Sequence, residues 1–417
     1  MSIDEAQVRS TAGEVVEPHL RLPLSVLGMV RSVRVKRHRV SVEVVLPVDG
    51  FPAAVLTDRL RAALGVLPDV HEVMVEPSVM SDEQRRRLRM VLRGEAARGP
   101  TGDPGELSDH DSHDHDSHDH DSHDHDSHDH DSHDHGTQAG SAPALGHEDG
   151  RPNRFMEPRS RTRVLGISSG KGGVGKSSVT VNLAVTLARL GHDVGILDAD
   201  VYGFSVPKML GVRGDPLIID DLVVPPEANG VRCLSMGFFV PDETPIIWRG
   251  PMLHKALEQF LVDAYWGEPD YLLVDMPPGT GDVTLSLGQY LTKTEVYVVT
   301  TPQAAAQRVA QRSAYAARKL KLAVRGVVEN MSWFTGDDGT RYELFGSGGG
   351  ASLAADLQVP LLGQVPLIPA LREGGDEGVP VVVAEPDGEA AAAFSALAAR
   401  IDELGPARVY RKELTVR

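Results

Sequence analysis

The residues with the clearest chemical potential form a glycine-rich loop, GISSGKGGVGKSSV, at positions 166–179. Gly170, four further residues, and then Gly175, Lys176 and Ser177 match the spacing of a phosphate-binding loop. Glycines let the backbone N–H groups face phosphate oxygens, the lysine can reach the β- and γ-phosphates, and the serine hydroxyl can ligate Mg²⁺. The loop therefore predicts ATP and Mg²⁺ as ligands; the alternative is a plain glycine-rich turn.

Two strand ends supply carboxylates that suit phosphate chemistry. The stretch VGILDAD ends on Asp198 and Asp200, and YLLVDMPPGTGD contains Asp275. An aspartate after a buried strand beside a phosphate loop is placed to hold Mg²⁺, so we predict that Asp275 does so through a water molecule. We predict that Asp200 positions the attacking water and that Asp198 supports the metal site from outside, without contacting the ion directly. Each of the three could instead cap the segment that follows.

An amide completes the predicted nucleotide site. Asn330 follows the strand-like stretch VRGVVEN, and its carboxamide can donate to and accept from an adenine edge. A local turn is the alternative for this residue. The full set of predicted nucleotide contacts is Gly170, Lys171, Gly172, Gly173, Val174, Gly175, Lys176, Ser177, Ser178 and Asn330.

These residues require a scaffold of alternating strands and helices. A short apolar strand precedes the loop, and KSSVTVNLAVTLARL after it repeats its apolar residues at helical spacing. The same alternation over residues 161–404 predicts an α/β fold with a doubly wound, mostly parallel sheet. In such folds the ligand binds at the carboxyl ends of the strands. Residues 405–417 are predicted to form a C-terminal tail.

A smaller unit precedes this domain. Residues 20–97 combine apolar alternation in SVRVKRHRVSVEVVLPV with helical patterns in AAVLTDRLRAALGVLP and SDEQRRRLRMVL. Ser81 and Gln84 have the spacing of a capping box, which marks the start of the second helix. The pattern predicts a small α+β domain with a sheet covered by two helices.

A polar segment joins the two predicted domains. Residues 98–160 have almost no apolar side chains, and Asp109 to His135 contain five DSHDH units with eleven aspartates and eleven histidines. Such a composition cannot offset the entropy of ordering, so the segment is predicted to be disordered. Alternating histidine and carboxylate ligands suit Zn²⁺ or Ni²⁺, and a solvated spacer is the alternative.

The composition of the chain limits where the protein is expected to be located and which partners it is expected to bind. The formal net charge is −17, which disfavours general binding of nucleic acid. A single cysteine excludes a disulfide framework, and no apolar segment begins the chain, so a cytoplasmic protein is predicted. No stretch approaches the about 18 apolar residues of a membrane span.

Several motifs in order resemble one family. GKGGVGKSS, DADVYGFSVP, WRGPM, DYLLVDMPPGTGD, VVTTPQ, GVVENMSWF and FGSGGG, over about residues 161–380, are similar to the Mrp/ApbC P-loop ATPases. LGMVRSVRV, DGFP and VMSDEQR resemble the PaaD-like domain associated with iron-sulfur cluster assembly. The resemblance implies a homodimeric ATPase that carries iron-sulfur clusters to apoproteins, with assembly proteins or apoprotein clients as partners. Its implied nucleotide residues are Lys171, Lys176, Ser177, Asp200, Asp275 and Asn330.

The second lysine of the loop fits this resemblance. KGGVGK resembles the deviant phosphate loop of MinD, ParA and Mrp ATPases, in which the extra lysine reaches the partner subunit's nucleotide. Lys171 would then neutralise phosphate charge in trans, as an arginine finger does. We therefore predict Lys171, Lys176 and Asp200 as the catalytic residues; an exposed loop lysine is the alternative for Lys171.

The chain departs from the family at its cysteines. After GVVENMS the family commonly has a C-x-x-C pair that bridges a cluster across the dimer, but this chain reads WFTGDDGTRYELFG. The only cysteine is Cys233, and Phe51 stands where the PaaD-like family often has another. Asp337 and Asp338 are hard ligands that suit a DDG turn better than a cluster. We predict ATP hydrolysis without a stably bound cluster, because [4Fe–4S] clusters usually have four thiolates.

Two other functions are compatible with parts of the sequence. A nucleotide-gated Zn²⁺ or Ni²⁺ chaperone would use the histidine tract as a reservoir. A positioning ATPase like MinD or ParA would cycle between dimer states on a surface. The end of the chain, RIDELGPARVYRKELTVR, shows neither a long amphipathic helix for a membrane nor a basic face for DNA, which disfavours the second.

Overall fold

The computed structural model of the chain describes residues 4–94, 153–157, 159–201, 203–239, 250–279 and 281–406. Residues 4–94 form a small domain whose sheet has the strand order β1-β2-β3. Strand β2 pairs antiparallel with β1 and parallel with β3. The elements are α1 (Glu5–Glu14), α2 (Leu24–Leu27), β1 (Val30–Lys36), β2 (Arg39–Leu46), α3 (Ala54–Gly65), β3 (Glu72–Val79) and α4 (Asp82–Leu92).

The rest of the described chain forms a large domain. It begins with a 3-10 turn at Arg154–Met156 and contains a second at Met236–Phe239. Its strands are β4 (Arg163–Ser169), β5 (Val194–Asp198), β6 (Leu217–Ile219), β7 (Leu222–Val224), β8 (Glu227–Ala228), β9 (Val231–Ser235), β10 (Tyr271–Asp275), β11 (Glu295–Thr300), β12 (Ala323–Glu329), β13 (Phe334–Thr335), β14 (Arg341–Tyr342) and β15 (Leu361–Gln364). Its helices are α5 (Lys176–Arg189), α6 (Val206–Leu210), α7 (Gly250–Val262), α8 (Asp282–Tyr290), α9 (Ala304–Lys319), α10 (Gly349–Leu357), α11 (Pro369–Glu377), α12 (Val381–Ala384) and α13 (Glu389–Glu403).

One sheet organises the large domain. Its strand order is β15-β12-β11-β4-β10-β5-β9-β8, and only the pair of β8 with β9 is antiparallel among the described strands of this sheet. In β10, Leu273 packs in the core that contains α5 and α13, whereas Leu272 and Val274 pack in the core beneath α7 and α8. Helices therefore cover both faces, and the predicted doubly wound, mostly parallel α/β fold is confirmed.

The small domain begins earlier than the predicted residue 20. Helix α1 precedes that position and buries Val8 and Ala12 in the core of the same domain. The predicted capping box is present, because Ser81 Oγ accepts from the Gln84 N–H and Gln84 Oε1 accepts from the Ser81 N–H. The α+β architecture was thus visible in the sequence, but its first helix was not.

The predicted disordered linker, residues 98–160, lies mostly outside the described residues, as do the whole DSHDH tract and residues 407–417 of the predicted tail. Binding of Zn²⁺ or Ni²⁺ by the tract stays a prediction. The end of the linker is described, and it differs from the expectation. Phe155 is 1% exposed and lies edge-on to Trp266, with ring centroids 6.5 Å apart. Phe155 anchors residues 153–157 to the large domain together with two hydrogen bonds, from Asn153 Nδ2 to the Tyr290 carbonyl and from Arg154 Nη1 to the Gly267 carbonyl, each 2.9 Å long.

In the part of the chain that the structure describes, no helix is both long enough and apolar enough to cross a membrane.

Candidate nucleotide site

The glycine-rich loop connects β4 to α5 at the carboxyl end of the sheet. Gly173 and Gly175 have φ values of +79° and +77°, a region that side chains with a Cβ rarely adopt. Gly175 directly precedes helix α5, so the first N–H groups of that helix face the loop. Gly170 serves a different purpose, because a Cβ there would lie 2.2 Å from the backbone nitrogen of Ala310 in α9. The loop thus has the backbone geometry of an anion cradle.

The side chains of the predicted motif converge on Asp275, at the end of β10. Lys176 Nζ lies 2.6 Å from Asp275 Oδ2, and Ser177 Oγ donates to the same oxygen over 2.7 Å. Thr180 Oγ1 donates to the other oxygen, Asp275 Oδ1, over 2.6 Å. The structure therefore brings together three residues predicted for the site. It adds Thr180, which the sequence analysis missed.

The position of Thr180 in the sequence indicates its role. It lies four residues after Lys176 in α5, and its hydroxyl also contacts the Lys176 carbonyl at 3.0 Å. Residues four apart share one face of a helix, so Thr180 must look toward the same strand end as the loop lysine. A buried hydroxyl one turn after the motif is therefore a candidate support for the strand-end aspartate.

Asp198 and Asp200 lie at the end of the neighbouring strand, β5. Lys176 Nζ is 3.8 Å from Asp200 Oδ2, which places Asp200 beside the phosphate loop. Asp198 is fully buried, and its side chain accepts from the Asp200 N–H at 3.2 Å and from Ser235 Oγ at 3.0 Å. Burial, with the charge of Asp275 as the next cause, raises the pKa of Asp198 to about 7. Asp198 therefore supports the Asp200 segment and does not itself face the loop lysine.

The two loop lysines point in different directions. Lys176 is 6% exposed and lies among the aspartates, whereas Lys171 is half-buried with its Nζ 3.5 Å from Gln303 Oε1. Gln303 directly precedes α9, on the other side of β4 from Asp275. Among the described side chains, Lys171 forms no ion pair within 4.0 Å. Its charge is thus directed away from Ser177 and Asp275 of its own site.

Asn330 lies behind the loop. Its Nδ2 donates to the Val174 carbonyl over 2.9 Å, and a Cβ at Gly175 would lie 2.2 Å from that nitrogen. Its Oδ1 is buried and has no hydrogen-bond partner in the described structure. The amide therefore supports the loop with one end and offers a free acceptor with the other, which an adenine amino group could use.

The donor set fits Mg²⁺. Ser177 Oγ and the carboxylate of Asp275 are hard oxygen ligands of the kind that Mg²⁺ prefers. No cluster of three or more His, Cys, Asp or Glu side chains within the described ranges is arranged to hold a metal ion. That result does not conflict with a Mg²⁺ site, because Mg²⁺ in phosphate sites takes most of its ligands from water and phosphate.

The segment after Asn330 forms a β-hairpin where the family commonly has two cysteines. Strands β13 and β14 pair antiparallel, and Asp338 in the turn between them accepts from the Thr340 N–H at 2.9 Å. This is the DDG turn that the sequence favoured. Glu389 of α13 holds the hairpin by accepting from Trp333 Nε1 at 2.9 Å and from Arg341 Nη2 at 2.7 Å.

Glu389 is ionised in this arrangement. Burial alone would raise its pKa, but hydrogen bonds from Trp333 and Thr335 and the charge of Arg341 outweigh burial and lower the pKa. The hairpin is thus stabilised by polar contacts, without any sulfur ligand.

Cys233 cannot substitute for the cysteine pair in this conformation. It lies in the middle of β9, it is 0% exposed, and burial raises the pKa of its thiol well above the ordinary value. Only the thiolate is an effective metal ligand, so a fully buried thiol is a poor one. In the small domain, Phe51 supplies no thiol at the turn, and its ring lies edge-on to His19 with centroids 5.7 Å apart.

A phosphate loop at the carboxyl ends of parallel strands, facing a strand-end aspartate, defines a P-loop nucleotide-binding protein. Residues 160–402 match the family model described as NUBPL iron-transfer P-loop NTPase. Residues 5–76 match the model described as iron-sulfur cluster assembly protein. The chain therefore belongs to the iron-transfer P-loop NTPase family, and the predictions of the family and of a nucleoside triphosphate hydrolase are confirmed.

Curated relatives extend over nearly the whole chain. The iron-sulfur cluster carrier protein of Mycobacterium tuberculosis is 41% identical over 390 residues, which is 92% of this chain and 89% of that protein. The iron-sulfur cluster carrier protein of Mycobacterium leprae is 39% identical, with 91% and 88% covered. The protein of that name from Deinococcus radiodurans is 51% identical over 239 residues, 56% of this chain and 67% of its own.

Among solved structures, a nucleotide-binding protein from Archaeoglobus fulgidus in complex with ADP is 34% identical, covers 56% of this chain and 93% of that chain, and has a TM-score of 0.48. The septum site-determining protein MinD from Pyrococcus horikoshii, complexed with Mg-ADP, is 26% identical, covers 58% of this chain and 97% of that chain, and has a TM-score of 0.45.

Proposed function

We propose that this protein is a homodimeric, Mg²⁺-dependent ATPase that delivers iron-sulfur clusters to apoproteins. The observation that carries the proposal is the contact of Lys176 and Ser177 with Asp275, in a chain whose two domains both match iron-sulfur families. The family match favours this function over a Zn²⁺ or Ni²⁺ chaperone and over a positioning ATPase.

The residues around the loop have separable tasks in hydrolysis. The Lys176 ammonium and the Ser177 hydroxyl are both bonded to Asp275 Oδ2, and the ammonium exchanges that carboxylate for phosphate oxygens when ATP binds. Ser177 and Asp275 would hold Mg²⁺, which supplies positive charge to the phosphates. Asp200 orients the attacking water, because it lies 3.8 Å from Lys176 Nζ at the strand end.

Lys171 acts across the dimer in this proposal. Its Nζ contacts Gln303 and not the aspartates of its own site, so its charge is available to a second subunit. A cation supplied from a partner stabilises charge on the transferring phosphoryl group, as an arginine finger does. Asn330 offers its free Oδ1 to the adenine amino group.

The cargo requires thiolates from outside the hairpin. Residues 333–346 contain no cysteine, and Cys233 is 0% exposed. A dimer of this chain has two thiols in total, against the four that usually hold a [4Fe–4S] cluster. We therefore assign part of the cluster's ligands to the assembly proteins or apoprotein clients that meet the ATPase.

An anaerobic experiment tests this function. The purified protein is incubated with iron and sulfide, first alone and then with an apo-ferredoxin and Mg-ATP. We expect ATP hydrolysis but no visible cluster absorption with the protein alone, and faster maturation of the ferredoxin when ATP is present.

The matched control is the Lys176→Ala variant, which should remove the effect of ATP on maturation while the chain remains folded. Four irons and four sulfides per dimer of the isolated protein, lost in Cys233→Ser, would contradict the assignment of ligands to a partner. Maturation that is unaffected by ATP would contradict the delivery function.

A further inference from the structure

The small domain shares a hydrophobic core with one hairpin of the large domain. This hairpin, β6 and β7 (residues 217–224), contributes Ile219, Leu222 and Val224, each at most 2% exposed, to the core of the small domain. Tyr265 joins the same cluster and donates its hydroxyl hydrogen to the Leu20 carbonyl over 2.8 Å. Burial of apolar side chains from both domains in one core indicates a defined interface.

Arginines of α4 secure the tip of this hairpin. Arg85, Arg89 and Arg93 lie four residues apart, so they share one face of the helix. Arg85 Nε is 3.1 Å from Asp220 and Arg93 Nη2 is 2.6 Å from Asp221, while Arg89 bonds to both aspartates. Partial burial opposes ionisation of Asp221, but these arginines outweigh it and lower its pKa to about 2.

A second group of charges lies beside the first. Arg21 of the small domain bonds to Asp193 at 2.5 Å and to Glu227 at 2.7 Å. It also donates to the Gly230 carbonyl over 3.1 Å. Asp193 precedes the hairpin in the sequence, whereas Glu227 in β8 and Gly230 just before β9 follow it. The small domain is thus fixed to the segment that leads from α6 to β9.

The same segment is tied to the nucleotide site at both ends. Asp198 Oδ2 accepts from the Val206 N–H at 3.3 Å, at the start of α6, and from Ser235 Oγ at 3.0 Å, at the end of β9. Its other oxygen, Oδ1, accepts from the Asp200 N–H. One buried carboxylate therefore connects Asp200, beside the phosphate loop, to both ends of residues 206–235, which carry the hairpin.

We propose that the β6–β7 hairpin is a docking surface for the chain's own small domain and that docking there opposes nucleotide binding. In this arrangement Lys176 Nζ is bonded to Asp275 and lies 3.8 Å from Asp200. Phosphates that replace Asp275 at Lys176 Nζ bring negative charge beside Asp200, so Asp200 must adjust its position, and its N–H is held by Asp198. Contacts that hold residues 206–235 in place therefore stabilise the arrangement that ATP has to change.

Thermodynamic linkage makes the coupling reciprocal. If docking weakens nucleotide binding by some factor, nucleotide must weaken docking by the same factor. The inference depends on nucleotide binding by the phosphate loop alone, so it can fail or succeed independently of the iron-sulfur cargo.

The test uses the full chain with Asp221→Ala, which removes the acceptor shared by Arg89 and Arg93. The matched control is Arg87→Ala, since Arg87 is 72% exposed on the same helix and pairs with Glu83 of that helix. Affinity for Mg-ADP and for Mg²⁺ with a non-hydrolysable ATP analogue is measured by calorimetry. The salt dependence of both affinities reports whether ion pairs contribute.

Docking is measured in the same proteins by energy transfer between two dyes. Exposed sites for labelling are available at Arg61→Cys in α3 and Arg372→Cys in α11, whose native side chains are 55% and 69% exposed. Native Cys233 is 0% exposed and will not compete for the dyes in the folded protein.

We expect Asp221→Ala to lower the energy transfer and to bind the ATP analogue about fivefold more tightly, a coupling typical of linked sites. The analogue should lower the transfer in the wild-type protein, and Arg87→Ala should match the wild type in every measurement. If Asp221→Ala does not fold, Arg93→Gln takes its place, with the same expected direction.

Two results would overturn the proposal. A variant with reduced energy transfer whose nucleotide affinity equals that of the wild type, or is weaker, would show that docking does not oppose binding. Unchanged energy transfer in Asp221→Ala would show that the hairpin aspartates do not hold the small domain.

Discussion

Two groups of buried charges lie at opposite ends of the same sheet. At the carboxyl end, Lys176 forms ion pairs with Asp200 and Asp275, and Asp198 lies behind Asp200; among the described residues, Lys176 is the one cation in the ion pairs of these aspartates. At the amino end, Arg163 of β4 bonds to both oxygens of Glu295 of β11, at 3.2 and 2.9 Å.

The carboxylate at the amino end is surrounded by donors and cations. Tyr297 donates its hydroxyl hydrogen to Glu295 over 2.9 Å, and Arg325 Nε lies 3.6 Å from the same carboxylate. Burial opposes the charge on Arg163, but the hydrogen bonds and the negative charge of Glu295 outweigh burial and raise the pKa of Arg163.

The difference lies in charge balance and not in burial. At the amino end two arginines face one glutamate, so the buried carboxylate is paired and holds the strands together. The carboxyl-end group has more carboxylates than cations, and the pKa of Asp198 rises to about 7 because of burial and the neighbouring charge of Asp275. Such an excess of negative charge marks a place where a further cation is needed, which is the usual signature of a functional site.

The largest effect that separates the two ends is expected from Arg163→Met. The substitution leaves Glu295 buried without its bidentate partner, so the free energy of unfolding should fall by about 3–5 kcal/mol. Chemical denaturation measures the loss, and calorimetry should find ADP affinity unchanged in the protein that remains folded. A matched control is Arg341→Met, whose side chain is 60% exposed in its pair with Glu389 and should cost little. Altered ADP affinity in Arg163→Met would show that the two ends are not independent.

Lys176→Ala should instead act on nucleotide binding. Removing the loop ammonium should weaken ATP binding by about a hundredfold or more, since a buried charge-assisted contact to phosphate is lost. The free energy of unfolding should also fall, because Asp275 loses its buried cation. Equilibrium nucleotide binding therefore distinguishes this variant from Arg163→Met.

The matched variant for this prediction is Lys171→Ala, in the same loop. Because Lys171 contacts Gln303 and not Asp275, the monomer should bind ATP normally while ATP-induced dimerisation and phosphate release are impaired. Light scattering measures the dimerisation. Normal turnover in Lys171→Ala would exclude a role for this lysine across the dimer.

A smaller effect is expected at Thr180. Thr180→Val keeps the shape of the side chain but removes the donor to Asp275 Oδ1, so the carboxylate is less firmly oriented. The Mg²⁺ concentration for half-maximal hydrolysis should rise about tenfold, in line with one lost hydrogen bond to a charged group. Thr180→Ser should restore it, and ADP binding without Mg²⁺ should be unchanged. Wild-type Mg²⁺ dependence in the valine variant would show that the hydroxyl only fills space.

These residues also show what the sequence could predict. Lys176, Ser177 and Asp275 were accessible because the motif is local and the order of strand, loop and helix fixes where they meet. Glu389 was not accessible, since it joins the hairpin near Trp333 from 56 residues away. No motif or strand end marks Glu389 as a partner of the hairpin, whereas its place at a strand end marked Asp275 as a partner of the loop, 99 residues from Lys176.

The same limit applies to weakly patterned segments. Helix α1 buries only Val8, Ala12 and Gly13, too few to give a clear helical period. Phe155 is one aromatic residue in a polar stretch, so its anchoring role appears only when Trp266 is placed beside it. Long-range packing decided both cases, whereas local spacing decided the phosphate loop.

The smallest effect is a difference in pH dependence. Asp198 has a pKa of about 7 in the folded protein against 3.8 for an unperturbed aspartate. Between these values the folded state binds the extra proton, so stability falls as the pH rises, by about 1 kcal/mol from pH 6 to pH 8 for this group. Asp275→Asn removes a neighbouring charge that raises the pKa of Asp198. The loss of stability between pH 6 and pH 8 should therefore be smaller in this variant.

Urea denaturation at pH 6 and pH 8 measures the effect in the wild type and in Asp275→Asn. Histidines titrate in the same range, but they are common to both proteins and cancel in the difference between them. Asp58→Asn is the control, because Asp58 is 78% exposed in α3 of the small domain and pairs with Arg61 of the same helix. That variant should keep the wild-type pH dependence. Equal pH dependence in the wild type and Asp275→Asn would show that the charge of Asp275 does not raise the pKa of Asp198, so the excess of carboxylates would not distinguish this end from the amino end.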